Sequence, residues 1–317
     1  MHEVLEFLDK YSSIAIFTHM NPDGDALGSA FSLAEALRSQ GKAALAVLLE
    51  EPPQKYYFDE FKELYTKDYK SYDMDEFDAC VAVDCADTQR LSKLKDSFFA
   101  KPTLNIDHHI SNNNYAMVNY VNDAPSTGEI IYDIFKQTGT TINDTAAMAL
   151  YMAISTDTGN FTYSNTTPKT LKICSELVNG GLNISRIAGK IFNERSMEAT
   201  KLICKFIENM RMHYGSRLAT SVIMQSDLQE LGAKSEDCEN LVNYARNIDT
   251  VEIAAFIKEV SKDTYKISLR SKAYANVSEF AERFGGGGHV RAAGYLAKGN
   301  IHNVMQSIVT TAKDFLT

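Results

Sequence analysis

Three side chains able to bind a metal ion lie together near the start of the chain, in the pattern His19-x3-Asp23-x-Asp25. The apolar run 14–17 before them is typical of a buried strand, and the run after Asp25 favours a helix. In open α/β sheets such a turn lies at the carboxyl end of the strand, where ligands bind. Two carboxylates this close repel each other unless a cation or backbone donors hold them. The alternative is a plain turn, since Asn-Pro-Asp-Gly favours one and Asp25 would be a good helix N-cap.

Two further predicted strands end in the same kinds of side chain. One apolar run ends at Asp84, and the next ends at Asp107-His108-His109. Helical segments alternate with these strands, which predicts an α/β fold with a doubly wound, mainly parallel sheet and helices on both faces. Because the carboxyl ends of parallel strands meet at one edge, the three motifs should lie in one crevice.

A fourth acidic residue follows a predicted helix. The helix over residues 143–154 leads to Asp157. A carboxylate is unfavourable at a helix C-terminus, where the helix dipole is negative. A nearby cation would explain this placement, and so would exposure to solvent.

The composition limits the class of protein. The 317 residues suffice for two domains, and their 44% hydrophobic and 23% charged content is ordinary for a globular chain. A net charge of −9 disfavours a basic surface that coats nucleic acid. No run is long and apolar enough to span a membrane, and no basic segment suggests a secretory signal. Five cysteines without a CxxC pair indicate a reducing compartment, so we expect a cytoplasmic protein.

The second half of the chain has a different pattern of elements. A predicted strand ends at Arg270, and a predicted helix leads into Gly285-Gly286-Gly287-Gly288-His289. Glycines let the backbone approach a phosphate closely with its N–H groups as donors, although a flexible loop is the alternative. The expected organisation is a catalytic domain, a helical linker and a smaller α/β domain, over residues 1–190, 191–213 and 214–317.

Taken together, these motifs resemble those of the DHH phosphoesterase family. The histidine and aspartate motifs resemble the N-terminal pattern of this family. The glycine run with His289, together with Arg270, resembles its DHH-associated C-terminal domain. The resemblance covers nearly the whole chain, with four separated motifs in the right order. The two-domain length is similar to the bacterial nano-RNase and pAp phosphatase branch, whereas the larger exonucleases and the membrane-bound phosphodiesterases of the family carry further regions.

The resemblance implies a site with two divalent ions. It assigns one ion to His19, Asp23 and Asp84, and the second to Asp25, Asp84, His108 and Asp157. Asp84 would then bridge the two ions. Mixed carboxylate and imidazole ligands suit Mn²⁺, with Mg²⁺ or Co²⁺ as substitutes, and ligand type alone does not exclude zinc.

The resemblance also implies roles for residues around the metals. His109 would contact the phosphate or assist proton transfer, and Asp107 would hydrogen-bond a ligand histidine. Since adjacent residues of an extended chain point to opposite sides, His108 and His109 should not share one role. We expect Ser126 and Thr127 to cap a helix rather than to bind substrate. The expected substrate contacts are Arg90, Arg270, Gly286, Gly287, Gly288 and His289.

The expected function is therefore a Mn²⁺-dependent phosphoesterase that acts on short single-stranded RNA or on pAp, and not on duplexes. A phosphodiesterase for pApA or cyclic di-AMP is the alternative within the same chemistry. A pyrophosphatase is disfavoured by the glycine–histidine run, and a non-catalytic nucleotide-binding protein is disfavoured by the intact ligand set. A homodimer and the polarity of digestion stay open at this stage.

Overall fold

The computed structural model describes residues 1–68 and 74–316, which form two compact units, Met1–Glu194 and Arg195–Thr317. Among the helices so described, none has the length and apolar content needed to cross a membrane. The aromatic and acidic segment 50–78, whose sequence favours no detailed assignment, contains short 3-10 turns and one short strand. Its residues 69–73 lie outside the described residues.

Unit 1 contains a six-stranded sheet in which every neighbouring pair is parallel. Its strands are β1 Ser13–Phe17, β2 Ala43–Val47, β3 Tyr65–Thr66, β4 Ala79–Val83, β5 Thr103–Asp107 and β6 Val118–Val121. The spatial order is β3-β2-β1-β4-β5-β6, so the chain winds outward in both directions from the centre. The predicted doubly wound parallel sheet is confirmed, and β1, β4 and β5, whose ends carry the motifs, are adjacent.

Helices cover both faces of this sheet. They are α1 His2–Lys10, α2 Gly24–Ser39, α3 Lys95–Phe99, α4 Thr127–Thr138, α5 Asp144–Asp157, α6 Pro168–Asn179 and α7 Ile184–Ala188, followed by a π-helical turn over Gly189–Asn193. Ile14 and Ile16 of β1 belong to the core shared with α2, α4 and α5. Ala15 and Phe17 belong to the opposite core, where Phe17 packs on Phe98 of α3. This alternation buries β1 on both sides, as parallel sheets require.

Small residues bring α2, α4 and α5 unusually close together. A Cβ atom on Gly28 of α2 would lie 2.4 Å from the Ala149 carbonyl oxygen of α5. A Cβ atom on Gly128 of α4 would lie 2.5 Å from the Ala153 Cβ. No side chain fits at such distances, so the two glycines set the spacing of the helices that carry Asp25 and Asp157.

Unit 2 contains a mixed six-stranded sheet in the order β11-β12-β10-β9-β8-β7. Its strands are β7 Arg211–His213, β8 Leu218–Ile223, β9 Ile253–Ser261, β10 Thr264–Ser271, β11 Gly287–His289 and β12 Ala292–Lys298. Its helices are α8 Met197–Glu208, α9 Gln225–Leu231, α10 Leu241–Arg246, α11 Val277–Glu282 and α12 Ile301–Ala312. Among the strand pairs that the structure describes in this sheet, β8 with β9 is the parallel one. Helix α8 packs Leu202 and Phe206 into the core of this unit.

Candidate metal centre

A first group of ligand atoms forms where β1 leads into α2. His19 is 4% exposed, and its Nδ1 lies 2.8 Å from the Met20 carbonyl oxygen, which fixes Nδ1 as the donor. Its buried Nε2 lies 3.7 Å from Asp84 Oδ2 and 4.0 Å from Asp23 Oδ1, with no hydrogen-bond partner among the described residues. In the neutral ring this atom carries a lone pair aimed at two carboxylates. A cation between these three side chains would satisfy all of them, so the residues fit a metal ion.

A second group lies beside the first. His108 Nδ1 lies 3.0 Å from the Ala124 carbonyl oxygen, so its Nε2 faces the site. That Nε2 lies 3.8 Å from Asp25 Oδ2 and 3.4 Å from Asp157 Oδ2. One ligand atom from each of His108, Asp25 and Asp157 falls within a single ion-sized cluster. Because α5 extends through Asp157, three residues beyond the predicted end of the helix, this carboxylate is on a helical turn rather than in a loop.

Asp84 faces both groups. Its Oδ2 lies towards His19, and its Oδ1 lies 3.4 Å from His108 Nε2. The residue follows β4, is 2% exposed and has a φ of 54°, a left-handed conformation that costs free energy for any residue with a side chain. The Thr127 hydroxyl donates to Oδ1 at 3.1 Å. The turn therefore presents one carboxylate oxygen to each cluster.

Asp25 is held by the N-terminus of a different helix. The backbone N–H groups of Thr127 and Gly128, at the start of α4, donate to its two oxygens at 2.7 and 3.0 Å, and the Ser29 hydroxyl donates at 3.1 Å. Sequence reasoning missed these donors. The signal was present in the cap sequence of α4, because Ser126 caps that helix as expected and a free helix N-terminus is an anion site.

Asp23, rather than Asp25, caps helix α2. Its Oδ1 accepts hydrogen bonds from the N–H groups of Asp25 and Ala26, both at 3.1 Å. The alternative in which Asp25 serves as a plain N-cap is therefore wrong. Asp25 lies inside the first turn and points into the buried site, whereas the Asp23 side chain is half-exposed.

The buried carboxylates perturb one another strongly. Burial, reinforced by the charges of Asp84 and Asp157, raises the pKa of Asp25 well above its usual range. Burial likewise raises the pKa of Asp157 to about 7. Burial also opposes ionisation of Asp84, but the nearby imidazoles of His108 and His19 outweigh it and lower the Asp84 pKa. For His108, the surrounding carboxylates overcome the effect of burial and raise its pKa to about 10. The aspartate carboxylates of this site therefore exceed the positive charge that its histidines can supply. Such an excess of negative charge is expected of a site that binds cations.

The two neighbouring histidines approach the same carboxylate. His109 Nδ1 lies 3.5 Å from Asp84 Oδ1, and the ring centroids of His108 and His109 are 4.5 Å apart. The expectation that they point to opposite sides is wrong because β5 ends at Asp107, so the alternation of a strand no longer applies. Their partners still differ, since Asp107 Oδ1 lies 2.8 Å from the His109 ring nitrogen whereas the His108 ring bonds a carbonyl.

We expected Asp107 to hydrogen-bond the ring of a metal-ligand histidine. The buried Asp107 side chain instead bonds the ring of His109, which is not a proposed ligand. It also accepts the Asn112 side-chain amide at 2.5 Å and the His108 N–H at 2.8 Å. The hydrogen bond from His109 to Asp107 is the main cause that raises the pKa of His109. Arg90 borders this site through its backbone, whose carbonyl accepts the Met20 N–H at 2.8 Å.

Two of the expected substrate residues of unit 2, Arg270 and His289, lie on nearby strands of its sheet. Arg270, predicted to end its strand, lies within β10 and pairs with Ala292 of β12, which in turn pairs with His289 of β11. Residues directly opposite each other share a face of the sheet. Arg270 and His289 therefore lie on one face, two strands and about 10 Å apart.

The glycine run is part strand and part turn rather than a flexible loop. Gly287–His289 form the edge strand β11, and the N–H groups of Gly285 and Gly286 donate to carbonyls at the end of α11. A Cβ atom on Gly286 would lie 2.3 Å from the Gly294 carbonyl oxygen. Gly288 has a φ of 148°, and a Cβ atom there would lie 2.5 Å from the Ala292 carbonyl oxygen. These two glycines are required by close strand contact, whereas Gly287 has open space around it.

Comparison with known families agrees with this division of the chain. Residues 13–154 match the model of the DHH family N-terminal domain. Residues 215–317 match the model of the DHHA1 domain. The two matches include every proposed ligand except Asp157 and every expected substrate contact.

The chain also has relatives of similar length. It is 28% identical to the bifunctional oligoribonuclease and PAP phosphatase NrnA of Thermus thermophilus, over 99% of this chain and 93% of that protein. It is 31% identical to the probable enzyme of the same name from Streptococcus mutans, over 92% of this chain and 91% of that protein. The crystal structure of an exopolyphosphatase-related protein from Bacteroides fragilis has the same fold, with a TM-score of 0.93, 24% identity, and coverage of 99% of this chain and 95% of that one.

Proposed function

This chain belongs to the DHH family, and we propose that it is a two-metal phosphoesterase that degrades short oligoribonucleotides to mononucleotides and converts pAp to AMP. The observation that carries the proposal is a pair of ligand clusters, one of which contains Asp84 while the other contains His108, whose Nε2 lies 3.4 Å from Asp84 Oδ1. The names of the relatives suggest the substrate class, and the similarity to these relatives extends over nearly the full length of this chain.

We propose that His19, Asp23 and Asp84 hold one ion and that Asp25, Asp84, His108 and Asp157 hold the other. Mn²⁺ suits this mixture of carboxylates and imidazoles, and Mg²⁺ or Co²⁺ would substitute. When bound, two such ions polarise a phosphoryl group and make a water nucleophilic at neutral pH. The carbonyl partners of His19 and His108 keep both rings oriented with Nε2 towards the ions.

His109 is the proton donor in this proposal. Asp107 accepts from its Nδ1, which orients the ring and favours the protonated form, so Nε2 is free to hold a proton near the phosphate. Donation from Nε2 to the leaving oxygen would make cleavage easier by general acid catalysis. Asp107 acts through His109 and is a positioning residue.

Unit 2 has its own groups that suit binding of a nucleotide phosphate. Arg270 and His289 lie on one face of the sheet, and no strand of the described residues pairs with the outer side of the edge strand β11. The planar guanidinium group of Arg270 suits bidentate contact with a phosphate. Without a side chain, Gly287 allows such a group to approach the strand backbone.

The test is hydrolysis of a substrate panel with Mn²⁺: pAp, a two- to five-nucleotide RNA ladder, pApA, cyclic di-AMP and pyrophosphate. We expect rapid turnover of pAp and short RNA, and none of pyrophosphate. Selective turnover of pApA or cyclic di-AMP would move the protein to the degradation of signalling nucleotides. If the protein bound nucleotides but hydrolysed no compound of the panel, the proposed enzymatic activity would be refuted and the protein would be a nucleotide-binding protein.

The proton-donor role has its own control. His109→Gln should lower kcat while the metal content per chain, measured by elemental analysis, stays at the wild-type value. His302→Gln, which changes a histidine of α12 in unit 2, should alter neither. Loss of metal from the His109 variant would contradict its assignment as a non-ligand.

A further inference from the structure

A buried carboxylate organises the loop between β10 and α11. Glu252 is 5% exposed and accepts hydrogen bonds from three successive backbone N–H groups. These come from Ala273 at 3.1 Å, Tyr274 at 2.7 Å and Ala275 at 2.7 Å. A buried charge is costly unless it is hydrogen-bonded. Here the bonds are all made to one loop, which is thereby fixed in shape.

Two cations fix the same loop from other sides. The Lys272 ammonium group donates to the backbone carbonyls of Ile248 and Asp249. The Arg291 guanidinium group donates to the Ala275 carbonyl at 2.9 Å. Lys272 and Arg291 are therefore occupied in holding the backbone.

The loop lies between the two residues that we assign to the substrate. Next to Arg270, the Ser271 N–H donates to the Arg291 carbonyl at 3.1 Å. At the other end, the Val277 N–H donates to the Val290 carbonyl, one residue after His289, at 2.9 Å. Both ends of the loop are thus attached beside Arg270 and His289.

The residue that this fixed loop displays is aromatic. Tyr274 is 52% exposed, although the backbone on either side of it is bound by Glu252. An exposed tyrosine on its own is ordinary. A tyrosine on a loop that is already ordered, four residues after the arginine proposed to bind phosphate, loses little entropy on contact with a ligand.

We propose that the Tyr274 ring is a stacking platform for a nucleobase of the substrate, while Arg270 and His289 bind the adjoining phosphate. This inference rests on the proposed function, since it requires a nucleotide ligand. Every base has a π-face, so stacking on an aromatic ring gives affinity without sequence preference. Single-stranded substrates alone leave their bases free to stack in this way.

The experiment compares Tyr274→Leu, which removes the ring, with Tyr274→Phe, which keeps it. Stacking contributes about 1–3 kcal/mol per base, which corresponds to about 5- to 150-fold in affinity. We expect Tyr274→Leu to raise KM for dinucleotide RNA about 10-fold with kcat nearly unchanged, and Tyr274→Phe to match the wild type. Tyr244→Leu, another exposed tyrosine of unit 2, is the matched control.

A substrate without the base separates stacking from a structural effect. On a dinucleotide whose second residue is abasic, the wild type should show the raised KM, and Tyr274→Leu should add nothing to it. Equal KM values for the leucine variant and the wild type on RNA would overturn the proposal. An equal rise on both substrates would also overturn it, since the ring would then act without a base.

Failure of the proposed function is measured separately. Fluorescence quenching of a 2-aminopurine dinucleotide reports stacking without turnover. Quenching by the wild type and the phenylalanine variant, but not by the leucine variant, would support stacking even if no compound in the panel were hydrolysed. Equal quenching by all three would refute the stacking platform even in a fully active enzyme.

Discussion

Replacing Asp84 with asparagine tests the shared carboxylate most directly. Asp84 has a left-handed backbone, which asparagine adopts more readily than most residues, so the turn should survive. The Thr127 hydroxyl can still donate to an amide oxygen. What changes is the negative charge that faces His19 on one side and His108 on the other. Both proposed ions therefore lose a ligand from one substitution.

The expected size of the effect follows from what one ion contributes to catalysis and to stability. A catalytic ion contributes several kcal/mol to stabilisation of the transition state, and each 1.36 kcal/mol is tenfold in rate. Loss of the effect of one ion, about 4 kcal/mol, predicts a fall in kcat/KM of about 10³-fold. In binding, Mn²⁺ at 100 times its Kd stabilises the folded protein by about 2.7 kcal/mol, and a 100-fold weaker Kd leaves about 0.4 kcal/mol.

The assays are metal content per chain after dialysis against Mn²⁺, the shift in Tm on adding Mn²⁺, and the hydrolysis of pAp. Asp133→Asn is the control, because Asp133 is on α4 and pairs with Lys169 at the surface. The control should keep wild-type values in all three assays. An Asp84→Asn protein that retained two ions and activity within about tenfold of wild type would refute the bridging role.

Three further predictions use matched or local changes. Gly286→Ala should destabilise the protein by about 1–3 kcal/mol, because its Cβ meets the neighbouring strand, whereas Gly287→Ala should leave the Tm unchanged; equal Tm values would contradict this contact. Asp107→Asn should lower kcat about 10- to 100-fold with metal content preserved, since it acts through His109; a loss of metal would contradict that role. Gly28→Ala should lower both the Tm and the affinity for Mn²⁺ in a calorimetric titration, because it separates α2 from α5; a lower Tm with unchanged affinity would argue against helix spacing as the control of the site.

Much of unit 1 could be predicted because residue type and strand position coincide there. Apolar runs ending at Asp84 and Asp107 identify parallel strands, and the carboxyl ends of such strands share one edge. The observed order places β1, β4 and β5 side by side, so motifs distant in sequence meet without any special loop. The doubly wound sheet was therefore confirmed by the observed strand order, and the family resemblance was confirmed by the match to the DHH family model.

Local rules failed where an element ended earlier or later than expected. The alternation argument for His108 and His109 required a strand that continues past Asp107, and β5 does not. Helix α5 continues to Asp157 instead of stopping at Ile154. Side-chain direction depends on such boundaries, which a sequence pattern defines only to within a few residues.

The pairing of the buried acids with their donors could not be predicted, because these donors are backbone groups and every residue type except proline has an N–H. Asp25 is bound by the N–H groups of Thr127 and Gly128, about a hundred residues away, and Glu252 by those of the loop that follows β10. In both cases the sequence shows the acid but not its partner. A buried acid therefore indicates backbone donors, at a helix N-terminus or in a tight loop, that the fold brings to it. At Asp25 that donor is the start of α4, and at Glu252 it is the loop that displays Tyr274.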